Sequence, residues 1–414
     1  MTTGASAMQS AADRRDMYLR LLLLWLAGTG LRLTILAPPP VISLIHDDLG
    51  LSETQIGLLS GIPAALFACA AVPGSLLIAR FGALTTLFVG LLATAGGSAL
   101  RGAAVDAWTL YAATAVTGFG VAVMQPSMPS LVRLWLPNKI SFATAVYING
   151  LLVGEVLPVA LTLPLVMPLV GSWRLDFSVW GAVCVVVATV IFALAPKQTP
   201  SPSVATPPKW WPDWRNGLIW KLGIMIGTIN ATYFSTNFFI PRYLHATGHD
   251  GTIGWALTAL NLGQVPASIL LLLGGRGLER RATPYVVCGL LGLAAVVGIT
   301  FGDSRIVIAG AGVLGFACAI ILTLMLALPP VLSRADDVHR TTAAMLTIGY
   351  ACAVVVPVCS GIAWDLTGVP VVTFAPVVLC LITFIAIAPI TCGRLISKGD
   401  GAILDISAAS IKKG

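Results

Sequence analysis

Two ionisable residues, Arg32 and Glu155, lie near the middle of long apolar segments of the sequence. A charged side chain at the centre of a membrane helix costs about 2.5–3.5 kcal/mol on insertion scales, so such residues usually carry a function. Arginine keeps its charge and presents a planar fork of donors that suits carboxylates, cyanate and other small oxyanions. We therefore predict that Arg32 is the counter-charge of an anionic substrate.

The sequence leaves three roles open for Glu155. It can form a structural ion pair with Arg32, or it can carry a proton. Burial raises the pKa of a carboxyl and a nearby arginine lowers it, so competition by substrate for Arg32 would change the protonation of Glu155. Glu155 can also contact a cationic or zwitterionic substrate directly, and it therefore decides the substrate class.

Neutral polar residues inside other apolar segments are candidates for orienting the substrate. Three of them, Asn230, Tyr233 and Asn237, follow i, i+3, i+7 spacing and share one helix face. Their alternative role is hydrogen bonding between helices, at about 0.6 kcal/mol per contact. The full set predicted to bind substrate with Arg32 is Gln125, Tyr147, Asn149, Asn230, Tyr233, Asn237, Asn261, Gln264 and Tyr350.

The composition of the chain is that of a membrane protein. Of its 414 residues, 57% are hydrophobic and only 10% charged, and its mean hydropathy is +0.92. Soluble domains carry about 25% charged residues, so a soluble protein is excluded. The eight cysteines form no C-x-x-C pair, and no nucleotide-binding, metalloprotease or nucleophile-elbow motif occurs. We expect no cofactor, no metal and no enzymatic activity.

The apolar segments are long enough for helices that cross a bilayer, each about 20 residues. Alternating ten-residue strands, typical of membrane β-barrels, do not occur. The sequence predicts an all-α membrane protein with twelve spans: 17–45, 54–78, 83–102, 107–134, 140–169, 175–195, 217–243, 252–274, 283–301, 304–332, 340–366 and 369–392.

The basic residues orient these spans. Most of the 24 lysines and arginines fall on the side that holds both termini, which the positive-inside rule makes cytoplasmic. This distribution accounts for the net charge of +7 without nucleic acid. Arg32 lies within a span, and the residues left for outer loops are Arg101, Arg174, Arg242 and Arg305.

The spans divide into two sets of six. A linker rich in Pro, Ser and Thr, 196–216, separates an N-terminal bundle (17–195) from a C-terminal bundle (217–392), with cytoplasmic tails at 1–16 and 393–414. Short motifs recur in the two halves, as in Pro129-Ser-Leu-Val-Arg133 and Pro330-Val-Leu-Ser-Arg334. Two such bundles, pseudo-symmetric and with a substrate site near the bilayer midplane, are typical of secondary transporters.

Several motifs make the chain resemble the major facilitator superfamily, and within it the cyanate and 2-nitroimidazole permease family. They cover nearly the whole chain: Gly30-Leu-Arg32, Asp48-Leu-Gly-Leu-Ser-Glu53, Arg80-Phe-Gly82, Pro126-Ser-Met-Pro129, Leu326-Ala-Leu-Pro329, Ile348-Gly-Tyr350 and Asp365-Leu-Thr-Gly368. The resemblance implies the major facilitator fold, a small and usually anionic or polar substrate, and proton coupling.

The combined prediction is a monomeric secondary active transporter in a bacterial-type inner membrane. It moves a small organic or inorganic anion, cyanate-like or a small carboxylate, by alternating access with protons, and it is surrounded by lipid. The alternative is an exporter of drug-like, cationic or zwitterionic compounds anchored by Glu155. A ligand-sensing receptor ranks below both because the short loops and tails leave little room for a signalling domain, and a membrane enzyme ranks lower still.

Overall fold

A computed structural model describes residues 2–69, 71–196, 214–274, 278, 281–332 and 338–391. Within those ranges the chain is almost entirely helical and contains no β-strand. It forms two compact units. The first combines the described parts of Met1–Leu51 and Ile62–Thr206, and the second combines Ser52–Gly61 with those of Pro207–Gly414.

The helices of the first unit begin with a segment that includes most of the predicted N-terminal tail. Short breaks at prolines and glycines divide the longer predicted spans. The helices are α1 (Thr2–Gly30), α2 (Pro38–Leu49), α3 (Glu53–Cys69, whose first turns belong to the second unit), α4 (Ala71–Phe81), α5 (Ala83–Gly102), α6 (Ala107–Met124), α7 (Ser127–Trp135), α8 (Ile140–Leu161), α9 (Met167–Val170) and α10 (Trp173–Leu194).

The second unit contains the remaining helices. The predicted linker 196–216 and the tail 393–414 lie almost wholly or wholly outside the described residues, so the predicted division into bundles stays a prediction. The helices are α11 (Gly217–Ala246), α12 (Asp250–Leu262), α13 (Gln264–Gly274), α14 (Ala282–Phe301), α15 (Ser304–Leu332), α16 (Val338–Thr367) and α17 (375–391), which continues a 3₁₀ turn at Pro370–Phe374.

Nine helical segments in the described ranges are long and apolar enough to cross a membrane. They correspond to nine of the twelve predicted spans. The predicted span 17–45 is divided between α1 and α2, and the described parts of the predicted span 54–78 belong to α3 and α4. The predicted span 217–243 is the unbroken α11, whose asparagines, threonines and serines make it more polar than the other spans.

Three consecutive prolines interrupt the first predicted span, 17–45. Pro38, Pro39 and Pro40 begin α2, and the seven residues 31–37 before them form turns. In a continuous helix the carbonyl of residue i accepts from the N–H of residue i+4, and proline has no N–H to donate. The triple proline thus leaves the carbonyls of residues 34–36 without helical partners. Arg32 lies inside this break.

A tight turn connects α2 to α3, and residues within the turn itself determine its conformation. Gly50 ends α2 in the left-handed conformation, at φ +61°, which glycine adopts without steric cost. Ser52 then begins α3 with a capping box. Its hydroxyl accepts from the N–H of Gln55 at 3.2 Å, and the Gln55 side chain accepts from the N–H of Ser52 at 2.8 Å.

Candidate functional site

The structure brings together the two residues that the sequence singled out. In the first unit, Nε of Arg32 lies 3.3 Å from Oε1 of Glu155 on α8. The guanidinium also lies 5.6 Å from the centre of the Phe67 ring, within cation–π range. The Arg32 side chain remains 17% exposed, whereas that of Glu155 is only 6% exposed. Of the two charges, the positive one is the more accessible.

Close packing of α1 on α8 holds this pair in place. A Cβ on Gly154, next to Glu155, would collide with the backbone carbonyl of Thr29, so glycine is required there for the two helices to approach. The Thr29 hydroxyl donates to the carbonyl of Gly150 at 3.0 Å, which ties the same turns together. These contacts fix the turn of α8 that carries Glu155 against the end of α1 that leads to Arg32.

The other predicted site residues of the first unit are Tyr147 and Asn149, which share one turn of α8, and Gln125, which follows α6. The exposed Asn149 accepts a hydrogen bond from Nε1 of Trp25 at 2.9 Å. Tyr147 is half-buried, and its backbone carbonyl packs against Gly28. Gln125 follows the last residue of α6 and has an exposed side chain. Asn149 and Tyr147 thus belong to the α1–α8 contact.

A second cluster of predicted residues forms in the second unit. The Tyr233 hydroxyl donates to Oδ1 of Asn261 at 2.6 Å and accepts from Nε2 of Gln264 at 3.2 Å. Nδ2 of Asn261 donates to Oδ1 of Asn237 at 3.0 Å. Asn237, Asn261 and Gln264 are buried and Tyr233 half-buried. Four residues predicted separately on α11, α12 and α13 therefore form one hydrogen-bonded group, which we call the amide cluster.

The remaining two predicted residues lie outside the hydrogen bonds that define the amide cluster. Asn230 is buried one turn before Tyr233, and its amide nitrogen lies beside Gly349 of α16. Tyr350 follows that glycine and is half-buried. Both residues belong to the contact between α11 and α16.

The sequence analysis missed a second arginine–glutamate pair, which lies in the second unit. Nε of Arg242 donates to Oε1 of Glu53 at 2.8 Å, with side-chain exposures of 12% and 6%. The Arg242 guanidinium lies 5.4 Å from the ring centre of Trp364. We expected Arg242 in an outer loop, but it lies in α11. Glu53 drew no attention because it precedes the predicted span 54–78.

Asp365 completes this second pair by capping a helix that is distant in sequence. Its carboxylate oxygens accept from the backbone N–H of Glu53 at 3.0 Å and from that of Thr54 at 2.8 Å. Burial raises the pKa of Glu53 to about 7, against the opposing effect of Arg242, and the nearby Asp365 charge raises it further. Glu53 is thus a carboxyl that titrates near neutral pH.

Arg101 is a further residue whose burial the sequence analysis did not predict. It was expected in an outer loop, yet it lies in the last turn of α5 and is only 1% exposed. Its Nη1 donates to the carbonyl of Thr34 at 2.6 Å, within the break in the first span. Its position at the end of an apolar segment concealed this burial, because a sequence does not tell how deep a helix end packs.

No group of three or more His, Cys, Asp or Glu side chains among the described residues could hold a metal ion. The side chains of the Arg32–Glu155 pair and of the amide cluster offer charge pairing and hydrogen bonding. An accessible arginine with a shielded glutamate can bind an anion and exchange a proton. The amide cluster can donate and accept hydrogen bonds with a polar ligand.

Comparison with known proteins identifies relatives of the whole chain. The sequence profile of the Major Facilitator Superfamily matches residues 21–301. The cyanate transport protein CynX of Escherichia coli (strain K12) is 25% identical over 87% of this chain and 94% of its own. The 2-nitroimidazole transporter of the same organism is 24% identical over 82% of this chain and 87% of its own.

A solved structure agrees with the fold. The nucleoside transporter NupG superimposes with a TM-score of 0.71 at 13% identity, covering 92% of this chain and 99% of the other. At that identity the similarity concerns the fold alone. Together these matches confirm the resemblance that the sequence motifs indicated, and these relatives are transporters rather than enzymes.

Proposed function

The chain belongs to the Major Facilitator Superfamily of multi-pass membrane transporters, and on that premise we propose that it carries a small anion bound by Arg32. The observation that carries the proposal is the unequal exposure of the first pair. Arg32 is 17% exposed and Glu155 6%. A ligand that reaches the pair meets the guanidinium first, which favours an anion over a cation.

The chemistry of the arginine narrows the substrate class. The guanidinium presents a planar fork of donors, and its recorded contact with Glu155 is made through Nε. A carboxylate or cyanate can accept from such a fork with charge-assisted hydrogen bonds. The similarity to a cyanate transport protein supports cyanate or a small carboxylate as the first compounds to test.

Glu155 is proposed as the proton carrier. Glu155 contacts the guanidinium of Arg32, so an anion that binds Arg32 would compete with the Glu155 carboxylate for the same group. We propose that the displaced carboxylate takes up a proton. Substrate and proton would therefore bind together, which is the thermodynamic requirement for symport. The amide cluster and the other neutral residues predicted from the sequence are proposed to orient the substrate.

The cellular setting is part of the same proposal. The distribution of the basic residues supports cytoplasmic termini, and we propose a bacterial-type inner membrane as the location. We propose a monomer that works by alternating access, because the two sets of six spans and the short connections are those of a secondary transporter.

The first test is ligand binding and uptake with cyanate, acetate and a cationic dye as probes. A ligand at 100 times its Kd stabilises the native state by about 2.7 kcal/mol, so it raises Tm. Cyanate or acetate is expected to raise Tm, and R32A to abolish that shift and reduce uptake into proteoliposomes about 100-fold. R20A changes an arginine within α1, whose Nη1 donates to the Trp135 carbonyl, and it should retain uptake.

The outcome that favours the alternative function is equally clear. If the cationic dye raises Tm while cyanate and acetate do not, and E155Q removes the shift, the protein is an exporter of cationic or drug-like compounds anchored by Glu155. The fold assignment would stand and the proposed anion transport would fail.

The role of Glu155 has its own measurement. E155Q removes the titratable group and keeps the shape, so we expect cyanate uptake that no longer responds to an imposed pH gradient. Exchange of cyanate between the two sides at equal pH should persist within about threefold, because it needs no net proton movement. Retention of the wild-type response to the pH gradient in E155Q would contradict proton transfer at this residue.

A further inference from the structure

We propose that Arg101 is a positioning residue that holds the break in the first span and so presents Arg32 to its ligand. This inference rests on the proposed function of Arg32. The contact that carries it joins Nη1 of Arg101 to the backbone carbonyl of Thr34, 2.6 Å apart. Arg101 belongs to none of the motifs named in the sequence analysis and lies at the end of an apolar segment.

The need for such a contact follows from the three prolines. The helical partner of the Thr34 carbonyl would be the N–H of residue 38, and residue 38 is a proline. Thr34 is fully buried, so water cannot replace the missing donor. An unsatisfied carbonyl in that setting is unfavourable, and non-helical backbone inside a membrane protein requires partners from neighbouring helices.

Arg101 supplies that partner from α5. Its guanidinium is clamped by a second hydrogen bond, from Nε to the Thr114 hydroxyl of α6 at 3.0 Å. It also lies 5.8 Å from the ring centre of Phe177. Within the described residues no carboxylate pairs with Arg101. Its charge is therefore directed at the carbonyl and the hydroxyl rather than at an ion-pair partner.

The anchored carbonyl belongs to the turn that starts at Arg32. The Arg32 carbonyl accepts from the N–H of Ile35 at 3.1 Å and from that of Leu36 at 3.2 Å, so Thr34 lies inside a closed turn. Fixing Thr34 fixes that turn and with it the direction in which the Arg32 side chain leaves the backbone. Loss of the anchor leaves the Arg32 side chain in place but makes the backbone of its turn more mobile. Ordering that turn around a ligand then costs more free energy.

The experiment compares R101M, R101K and T114V in the full-length protein. R101M removes both hydrogen bonds, R101K keeps a charged donor, and T114V removes only the contact to α6. Hydrogen–deuterium exchange of the segment 31–37 reports the anchor without any substrate. We expect exchange about tenfold faster in R101M, with wild-type rates in T114V and intermediate rates in R101K. Exchange in α11 should not change.

Transport kinetics add the functional consequence. With cyanate as the probe, R101M is expected to raise KM about tenfold with kcat within about threefold, because the bound geometry remains reachable but is less preorganised. Rates of exchange in 31–37 that equal the wild type in R101M would overturn the proposal, as would a KM unchanged by faster exchange. If the wild-type protein fails to bind or transport cyanate and acetate, the proposed function fails, while the exchange data still test the anchor.

A double variant covers the case in which R101M does not fold. P38A restores an N–H that can reach the Thr34 carbonyl through a regular helical bond. If Arg101 acts on that carbonyl, R101M/P38A folds again. Its uptake stays low because a helical bond from residue 38 to the Thr34 carbonyl shifts the turn that carries Arg32, although Pro39 and Pro40 still prevent a continuous helix. Failure of P38A to restore folding, or full recovery of uptake with it, would contradict the assigned role.

Discussion

The two buried arginine–glutamate pairs, one in each unit, share their design and differ in what surrounds them. Arg32 and Arg242 each approach a glutamate Oε1 through Nε, at 3.3 and 2.8 Å, and each lies near an aromatic ring. In the second unit Asp365 also caps the helix that starts at Glu53. In the first unit the arginine lies in a break of its own helix.

We propose that this difference separates a structural pair, Arg242–Glu53, from a binding pair, Arg32–Glu155. The Arg242–Glu53 pair is a direct hydrogen bond reinforced by a cap and by close packing, because a Cβ on Gly57 of α3 would collide with the Pro357 carbonyl of α16. The Arg32–Glu155 contact is longer and its arginine is more exposed. The shorter contact and the added cap favour a role in stability for the second pair, and the more exposed arginine agrees with the ligand-binding role proposed for the first.

Removing Arg242 should have the largest effect and tests whether the second arginine–glutamate pair is structural. R242A leaves Glu53 buried without its hydrogen-bonded cation, and breaking a buried pair costs about 3–5 kcal/mol of stability. We expect a clear loss of Tm, measured by thermal denaturation in detergent, with the Kd for cyanate unchanged within about threefold at a temperature where the variant is folded. A normal Tm together with lost cyanate binding would reverse the assignments of the two pairs.

A pH titration sharpens the comparison. Burial raises the pKa of Glu53 to about 7, above its ordinary value of 4.5, so between these values the folded state holds a proton that the unfolded state has released. The contribution of Glu53 to stability is therefore present below pH 4.5 and is lost as pH rises to 7. In E53Q the fall of Tm between pH 4.5 and pH 7 should be smaller by a few degrees.

The amide of E53Q is a matched replacement because Oε2 of Glu53 is buried and has no hydrogen-bond partner among the residues that the structure describes. The variant keeps the acceptor for Arg242 and loses only the charge. The difference between wild-type and variant Tm, plotted from pH 4.5 to 8, gives the contribution of the Glu53 carboxyl to the pH dependence of stability. A difference that stays constant across this range would contradict a raised pKa.

The smallest expected effect comes from the cap. D365A removes the acceptor for the N–H groups of Glu53 and Thr54, and loss of an N-cap costs about 1 kcal/mol. D303A is the control, because Asp303 caps the start of α15 locally at the N–H of Arg305 and Ile306. Both variants should lower Tm similarly, but only D365A should also move the Glu53 titration to lower pH. Equal pH profiles in the two variants would show that Asp365 does not influence Glu53.

Much of the fold could be predicted from the sequence, because the relevant signals are local. Apolar length marks helices, and nine predicted spans match helices of sufficient length and hydropathy. The spacing of Tyr233 and Asn237 correctly placed them on one helix face, and the structure joins them to Asn261. The pair Arg32–Glu155 could be proposed because both residues interrupt apolar runs near their middle.

The residues that the sequence analysis missed share one property: they lie at the ends of spans. Arg101 and Arg242 were expected in loops, and Glu53 and Asp365 near span ends attracted no role. A residue at a span end is exposed or buried according to what packs over it, and hydropathy carries no information on that packing. Arg101 is 1% exposed because α6 and the broken first span both reach it.

The sequence by itself determined that this chain spans a membrane and that its charges are sparse. The sequence analysis predicted one span at 17–45, and the structure corrects it, because the three prolines at 38–40 interrupt the helix there. Composition and backbone chemistry act on each segment independently of the rest. Only the tertiary structure decided which donor reaches the carbonyl that those prolines leave open, which glutamate faces which arginine, and which of the two charges stays accessible. Those outcomes depend on contacts between segments far apart in the chain, such as residues 34 and 101 or 53 and 365, and no local pattern encodes them.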